Sequence, residues 1–189
     1  MGSRLRVWAG ALAMAVAASA YTGTAGAQYE IEINKSRREL LVKDGAKVER
    51  RYRIAVGRGG KGDKLETGDK RTPIGRYRIL DINDSSRYHL FMHLNYPNVK
   101  DAFYGLKNKV ISRGEFDRIV EALRHGRPPP QNTRLGGRIG IHGIGETNEE
   151  KLRLHRALDW TLGCIALTND EVAELRNFVH PGTLVVISE

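Results

Sequence analysis

Apolar and polar residues alternate along the first part of the chain beyond its N-terminal segment, a pattern typical of strands in a half-buried β-sheet. Ile31 and Ile33 would face one side of a first strand, and the pattern returns at Leu40 and Val42. The pair Asp44-Gly45 lies between two such runs and favours a two-residue hairpin turn, because both residues tolerate positive φ. The chain is therefore predicted to open with antiparallel strands.

Apolar runs further along the chain predict five more strands. Two of them are short and enclose a polar helical segment, so they are candidates for neighbours in the sheet. The predicted strands cover residues 75–82, 88–94, 139–141, 165–167 and 183–188.

A polar insert at residues 100–137 contains an amphipathic helix. Ser112 can cap its N-terminus, and apolar residues follow at the spacing of a single helix face. Those residues are Phe116, Ile119, Val120 and Leu123. We expect this face to pack against the sheet beside a cleft, where the helix would act either as a lid or as a passive surface element.

Two more helices are predicted in the C-terminal half. Residues 148–160 are helical in pattern, and His155 is assigned to the surface or to packing. Thr168 and Glu171 form a capping box for a helix that reaches Val179. The predicted fold is therefore mainly β with α insertions (α+β), with a helix directly before the last strand.

Residues 1–27 have the pattern of a secretory signal peptide. Arg4 and Arg6 precede a short apolar run, and Ala25-Gly26-Ala27 is typical of a cleavage site. We expect an exported protein in the periplasm or cell wall, without a membrane span after cleavage. Residues 28–189 then form one domain of a size that can bury a core.

The chain is basic, with a formal net charge of +9 that falls to +7 when the two arginines of residues 1–27 are removed. A basic exported protein suits an anionic wall polymer or lipid surface better than nucleic acid. Solubility alone is the simpler explanation of the charge. We expect a monomer and no nucleic-acid partner.

Cys164 is the only cysteine of the chain, so it cannot form an internal disulfide. It is either an intermolecular partner, an inert buried thiol or a reactive group. Cys164 begins the second short apolar run, and His142 ends the first. If those runs are neighbouring strands, the imidazole would lie beside the thiol and favour a thiolate nucleophile near neutral pH.

Other motifs do not support a cofactor or a metal. Gly57, Gly59 and Gly62 match a dinucleotide-binding pattern, but a charged loop follows them where an apolar helix would have to begin. His89 and His93 share one strand face without a third ligand, so we predict no metal site. We therefore expect no cofactor.

The motifs IHG and TLGCIAL, with TPIG upstream, resemble the L,D-transpeptidase (YkuD-type) catalytic domain of bacterial cell-wall enzymes. The resemblance covers nearly all of residues 28–189. It implies a mixed, mostly β sandwich or barrel. It also implies that Cys164 is acylated by a peptidoglycan stem peptide with loss of D-alanine, and that an amine from another stem or a wall-anchored lipoprotein then accepts the acyl group.

Two positions differ from the commonest motif of that family. Leu162 stands where histidine is usual, and Ala166 stands where arginine or asparagine is frequent. The segment resembles a subgroup with a DWTxGCIA-like motif, whose members resemble both transpeptidases and hydrolases that cut the link between stem and lipoprotein. The nucleophile is retained, and the acceptor is left open between an amine and water.

The proposed chemistry assigns a role to each site residue. Cys164 attacks an amide carbonyl, and His142 moves the proton to the leaving amine. The resemblance implies that a backbone carbonyl near Gly143 orients the imidazole. The backbone around Thr161 and Gly163 could support the oxyanion. Tyr88 and Trp160 are candidate walls for the stem peptide, although core packing would also explain both.

Three alternatives remain beside the transpeptidase. A hydrolase would use the same site with water as acceptor. A cysteine peptidase with the nucleophile before its histidine is disfavoured, because His142 precedes Cys164. A basic, non-catalytic wall-binding module would contain a structural cysteine, and retained activity in a Cys164→Ala variant would support it.

Overall fold

The computed structural model describes residues 29–189, in which eight strands, four α-helices and one short 3-10 helix form the fold. The predicted signal segment, residues 1–27, lies outside the described residues. The strands are β1 (Glu30–Asn34), β2 (Glu39–Asp44), β3 (Lys47–Arg53), β4 (Gly75–Ser86), β5 (His89–Leu94), β6 (Gly140–His142), β7 (Ile165–Ala166) and β8 (Leu184–Ser188). The helices are α1 (Val99–Lys107), α2 (Arg113–Arg124), α3 (Glu149–Ala157) and α4 (Asn169–Leu175), and the 3-10 helix covers Arg176–Phe178.

The strands of the described region form one mixed sheet in the order β3-β2-β1-β8-β4-β5-β6-β7, which curves into a half-barrel. Neighbouring strands are antiparallel except for the pairs β1–β8 and β6–β7, which are parallel. The prediction of a mainly β fold with α insertions is confirmed. In particular, the two short apolar runs are adjacent strands.

The first hairpin has the predicted strands and a turn displaced by one residue. Asp44 pairs with Lys47, so the loop between β2 and β3 consists of Gly45 and Ala46. Gly45 has a φ of +57°, a conformation that glycine adopts at little cost. The alternating pattern placed the strands correctly because one face is buried, and Ile31 and Leu40 are both fully buried.

The main hydrophobic core lies between the sheet and α4. Val172 and Leu175 of α4 are fully buried in the same cluster as Met92 of β5 and Ile141 of β6. Burying a side chain of this size contributes about 1.5–3 kcal/mol. This packing holds β5 and β6 in place, and His142 is the last residue of β6.

The insert at residues 100–137 contains a helix that the sequence analysis missed. The side chain of Asn98 accepts a hydrogen bond from the backbone N–H of Asp101, and the Asp101 side chain accepts one from the N–H of Asn98. This capping box starts α1. The sequence Tyr96-Pro97-Asn98 indicated a turn, and asparagine is favoured both in turns and at helix N-termini.

The helix predicted from Ser112 is present as α2, but its predicted packing is wrong. α2 buries its apolar face against α1 and the adjoining loops, and not against the sheet beside the cleft. The small separate core comprises Ala102, Ile111, Ile119 and Leu135, with Leu106, Val110, Phe116 and Leu123 at its margin. The missed helix explains the error, because α1 supplies the surface that α2 covers.

The two C-terminal helices are shorter than predicted. α3 ends at Ala157, and its buried residue is His155. The capping box of Thr168 and Glu171 is confirmed, but α4 ends at Leu175 and gives way to the 3-10 helix. Val179 is extended and buried, so the prediction that it continues the helix is wrong.

Candidate active site

Two neighbouring strands bring the predicted nucleophile and its histidine to one cavity. β6 and β7 run parallel, with Ile141 opposite Ile165 and His142 opposite Ala166. Because side chains alternate along an extended chain, Cys164 faces the same side of the sheet as Ala166 and His142. Cys164 and His142 both line a cavity of about 490 Å³. One bound molecule can therefore contact both side chains.

The backbone fixes the orientation and the tautomer of His142. Its Nδ1 lies 2.6 Å from the carbonyl oxygen of Gly143. A carbonyl oxygen only accepts hydrogen bonds, so Nδ1 has the proton and Nε2 has a free lone pair. A Cβ at position 143 would lie 2.7 Å from the carbonyl oxygen of Tyr88, so this position requires glycine.

Three aromatic rings surround the imidazole and line the cavity. Phe91 stacks on the His142 ring with centroids 5.3 Å apart and planes 10° apart. The ring centroid of Tyr88 lies 4.5 Å from that of His142, and that of Trp160 lies 6.2 Å away. Sequence reasoning named Tyr88 and Trp160 and missed Phe91. Its even spacing from His93, another lining residue, is the signal that could have identified it.

The Thr161 hydroxyl organises the loop before the nucleophile. It donates a hydrogen bond to the carbonyl oxygen of Cys164 at 2.7 Å and accepts one from the N–H of Gly163 at 3.2 Å. Gly163 has a φ of +135°, where a larger residue would be strained. The Gly163 N–H is therefore engaged, whereas the N–H of Cys164 has no acceptor within residues 29–189.

The glycine-rich segment that matched a dinucleotide motif supports this loop. The N–H of Arg58 donates to the carbonyl oxygen of Thr161 at 3.0 Å. The N–H of Gly57 donates to the hydroxyl of Thr72 at 2.8 Å, and a Cβ at Gly57 would lie 2.3 Å from a neighbouring carbonyl oxygen. The glycine allows two backbone segments to approach closely. Thr72, a buried residue of the TPIG motif, is a contact that sequence reasoning missed.

Burial keeps both reactive groups neutral. Desolvation lowers the pKa of His142 to about 4, against a smaller opposing effect of its hydrogen bond to Gly143. Desolvation also raises the pKa of the Cys164 thiol to about 11, although part of the residue remains accessible. The surroundings thus disfavour the thiolate, contrary to the expectation from the sequence. At neutral pH the free protein therefore has a thiol and a neutral imidazole in one cavity.

Two arginines contribute the positive charge of the cavity. The Arg87 guanidinium lies over the Tyr88 ring, 4.8 Å from its centroid. The carbonyl oxygen of Arg138 accepts a hydrogen bond from the Cys164 thiol at 3.5 Å, and Arg138 has a φ of +55°. Both arginines line the cavity. The sequence did not identify either arginine as a site residue, because charged residues are common in exposed loops.

The described region has no cluster of three histidine, cysteine or acidic residues that could hold a metal. His93 bonds to Asp81 through Nδ1 at 2.6 Å. His155 accepts a hydrogen bond from the indole N–H of Trp160 at 3.3 Å. Within residues 29–189, no helix is long and apolar enough to cross a membrane.

The fold and the cavity define a class of proteins: mixed β domains in which a cysteine and a histidine on paired strands share one cleft. The sequence model of the L,D-transpeptidase (YkuD-type) catalytic domain matches residues 28–187. The chain belongs to this family, whose members are cysteine-dependent L,D-transpeptidases.

Several solved structures have a similar fold. The helical cell shape determining protein Pgp2 from Campylobacter jejuni is 25% identical over 85% of this chain and 47% of its own, with a TM-score of 0.55. Bd1075 from Bdellovibrio bacteriovorus is 21% identical over 88% and 50%, with a TM-score of 0.51.

An L,D-transpeptidase from Xylanimonas cellulosilytica is 16% identical over 86% of this chain and 61% of its own, with a TM-score of 0.50. The chain thus spans about half the length of Pgp2 and Bd1075. No curated protein sequence matches it.

Proposed function

We propose that this protein is a peptidoglycan L,D-transpeptidase in which Cys164 is the nucleophile and His142 is the proton carrier. The observation that supports the proposal most directly is the shared cavity, in which a thiol and an imidazole with an unprotonated Nε2 are both accessible to one peptide. Membership of the family supports the same reaction class.

In the acylation step, the sulfur of Cys164 attacks the carbonyl carbon of the third residue of a stem tetrapeptide. Nε2 of His142 takes the thiol proton and returns it to the leaving nitrogen when the C–N bond breaks. The products are a thioester on Cys164 and free D-alanine. The imidazole is unprotonated at any pH above about 4, so Nε2 has a free lone pair for the thiol proton.

The negative charge on the attacked oxygen needs hydrogen-bond donors. The N–H of Cys164 is the donor that has no other partner within the described residues, so we assign the oxyanion to it. Thr161 and Gly163 then act as supports that hold the backbone of Cys164 in place. Tyr88 and Trp160, whose rings both lie next to that of His142, form walls for the peptide.

An amine completes the reaction in a transferase, either from a second stem or from a wall-anchored lipoprotein. Water would complete it in a hydrolase that uses the same thioester, including one that cleaves a lipoprotein from the wall. The similarity to a protein that determines cell shape supports a role in wall remodelling. A substrate of this kind requires export, which agrees with the predicted signal segment and the basic net charge.

Intact-mass analysis after addition of a purified stem tetrapeptide tests the proposal. We expect a covalent adduct with the mass of the tripeptide acyl group, located at Cys164 by peptide mapping, together with released D-alanine. A Cys164→Ala variant should form none. Full activity of this variant on muropeptides would exclude Cys164 as the nucleophile, whereas a wild type that binds muropeptides without forming an adduct would favour a binding module.

Product analysis then identifies the acceptor. Incubation with tetrapeptide-containing muropeptides should give 3→3 cross-linked dimers if an amine resolves the thioester. Tripeptide monomers alone would identify a hydrolase. A His142→Gln variant, which keeps a polar side chain of similar size but has no basic nitrogen, should form either product at least about a hundredfold more slowly.

A further inference from the structure

We propose that Arg87 binds the free α-carboxylate of the residue that leaves during acylation, so that the protein selects stem peptides by their C-terminal end. This inference rests on the proposed function, because it assigns one part of the same cavity to one part of the same substrate. Four observations support it: the charge of the cavity, the placement of Arg87, the position of the leaving group and the position of a second arginine.

The cavity is built for an anionic ligand. Among the described residues that line it, Arg87 and Arg138 are charged and no aspartate or glutamate is present. Neither arginine forms a salt bridge within residues 29–189, whereas Arg38, elsewhere on the surface, is paired with Asp159. An arginine guanidinium matches the geometry of a carboxylate and can bind it through two parallel hydrogen bonds.

The guanidinium of Arg87 is held close to the imidazole. It stacks on the Tyr88 ring at 4.8 Å, and its Nη2 donates to the Tyr88 hydroxyl at 2.9 Å. The Tyr88 ring in turn lies 4.5 Å from the His142 ring. Because each of these two separations is below 5 Å, the guanidinium lies within about 10 Å of the imidazole. These contacts orient Arg87 and leave its other N–H groups free for a ligand.

The chemistry of the step places the leaving residue next to the imidazole. The leaving nitrogen must lie within hydrogen-bond reach of His142, because that side chain returns the proton to it. The α-carboxylate of the leaving residue is separated from its nitrogen by a single carbon atom. It therefore lies close to the imidazole, and the Arg87 guanidinium on the adjacent Tyr88 ring is the charged group placed to meet it.

Arg138 lies next to the nucleophile rather than next to the imidazole ring stack. Its carbonyl oxygen accepts a hydrogen bond from the Cys164 thiol, so its backbone is adjacent to the nucleophile. The acyl part of the substrate becomes bonded to Cys164, and Arg138 is placed beside that part. The two arginines are therefore expected to contact different ends of the donor peptide.

Two tetrapeptides that differ only at the C-terminus test the assignment: one has a free carboxylate and the other a carboxamide. The rate of adduct formation at Cys164 is followed by intact mass. We expect the wild type to prefer the free acid about tenfold, since a charge-assisted hydrogen bond is lost with the amide. Arg87→Gln should reduce this preference to within about twofold, by slowing the reaction of the acid, and Arg87→Lys should retain an intermediate preference.

Arg138→Gln removes the same charge from the same cavity. We expect this variant to form the Cys164 adduct more slowly with both peptides and to leave the ratio of the two rates unchanged. Arg118→Gln, on the exposed surface of α2, removes a charge outside the cavity and should change neither rate.

Equal rates for the two peptides in the wild type would overturn the inference and leave the proposed function intact. An equal loss of preference in Arg138→Gln would overturn the assignment to Arg87, because the cavity charge as a whole would then be responsible. If neither peptide forms an adduct with the wild type, the proposed function itself is wrong, and the inference with it.

Discussion

At the scale of single residues, burial decides the state of the reactive pair. A histidine beside a cysteine suggests an ion pair, but that outcome requires solvation or opposite charges to stabilise both ions. His142 is 3% exposed, and three aromatic rings surround it. The apolar surroundings disfavour the imidazolium and the thiolate alike.

This arrangement makes a prediction for the reactivity of Cys164. Because its thiol pKa is raised to about 11, alkylation by iodoacetamide at pH 7 should be slower than alkylation of a model cysteine peptide. The rate should rise with pH toward that pKa, which intact-mass measurements across pH 6–11 would record. Rapid alkylation with a midpoint below pH 8 would contradict the neutral pair.

The hydroxyl of Thr161 gives a second residue-scale prediction. Thr161→Val keeps the shape but leaves the Gly163 N–H without its partner and the Cys164 carbonyl with only the longer hydrogen bond from the Thr72 hydroxyl at 3.5 Å. We expect a loss of about 2–4 kcal/mol in the free energy of unfolding, measured by urea denaturation, because each unsatisfied buried group costs about 1–3 kcal/mol. Acylation of Cys164 should slow by at least about tenfold.

Thr161→Ser is the matched control, since it keeps the hydroxyl and removes one methyl group. It should retain most of the stability and of the acylation rate. If the serine and valine variants behaved alike, the hydrogen bonds would not be the reason why threonine is needed.

At the scale of elements, one arginine anchors the segment that supplies Trp160 and Thr161. The Arg38 guanidinium donates to carbonyl oxygens at the C-terminal end of α3, among them His155 at 2.8 Å and Leu158 at 3.0 Å. It also pairs with Asp159 at 3.1 Å. A cation at this position satisfies carbonyl groups that have no partner within the helix.

Arg38→Gln should therefore loosen this segment. Amide hydrogen exchange in residues 155–160, measured by mass spectrometry, is expected to accelerate by about tenfold or more, with a loss of about 1–3 kcal/mol in the free energy of unfolding. Arg37→Gln changes a neighbouring exposed arginine and should leave the exchange unchanged. Equal exchange in all three proteins would show that Arg38 does not anchor α3.

The α1–α2 insert is a second element with its own core. Its residues 100–137 do not line the cavity of Cys164, so the packing of α2 does not support the lid that the amphipathic pattern suggested. Ile119→Ala should reduce the free energy of unfolding by about 2–4 kcal/mol, because Ile119 is fully buried. Val120→Ala, at a half-buried position of the same helix, should reduce the free energy of unfolding by less than half as much.

The acylation rate of Cys164 below the unfolding transition distinguishes a lid from a structural insert. We expect Ile119→Ala and the wild type to acylate at rates within about twofold of each other. A loss of tenfold or more in Ile119→Ala alone would mean that the insert contributes to the site.

At the scale of the whole molecule, the buried histidine links stability to pH. The pKa of His142 is about 4 in the folded protein, below the ordinary histidine value of 6.5 that applies to the unfolded chain. As the pH falls, the unfolded chain therefore binds a proton at this residue before the folded protein does. Its contribution is complete above pH 6.5 and is lost as the pH falls toward 4, by up to about 3 kcal/mol. His155, whose pKa burial also lowers, acts in the same direction.

Chemical denaturation at pH 7 and at pH 4 measures this effect. The His142→Gln variant lacks the titrating group, so its stability should decline less between these two pH values than that of the wild type. The difference between the two declines isolates His142 from the carboxylates that titrate in the same range. Identical declines would contradict the low pKa.

Much of the architecture followed from local patterns. Alternation located the first two strands because one face of each is buried, and the two short apolar runs with Cys164 and His142 at their edges indicated neighbouring strands. The helix start at Ser112 followed from its capping residue, and the start at Thr168 followed from a capping box, which needs only four consecutive residues. The missed α1 shows the limit of this reasoning, since an asparagine after a proline fits a turn and a helix cap equally well.

The sequence by itself determined the strand pattern, the candidate pair of Cys164 and His142, and the family, because periodicity and motif spacing are properties of neighbouring residues. Only the tertiary structure decided that this pair is neutral, that the glycine-rich segment supports the loop before Cys164, and that α2 packs on α1 and not on the sheet. Those outcomes depend on desolvation and on contacts between distant segments. Both arise when the chain folds, and no local pattern specifies them.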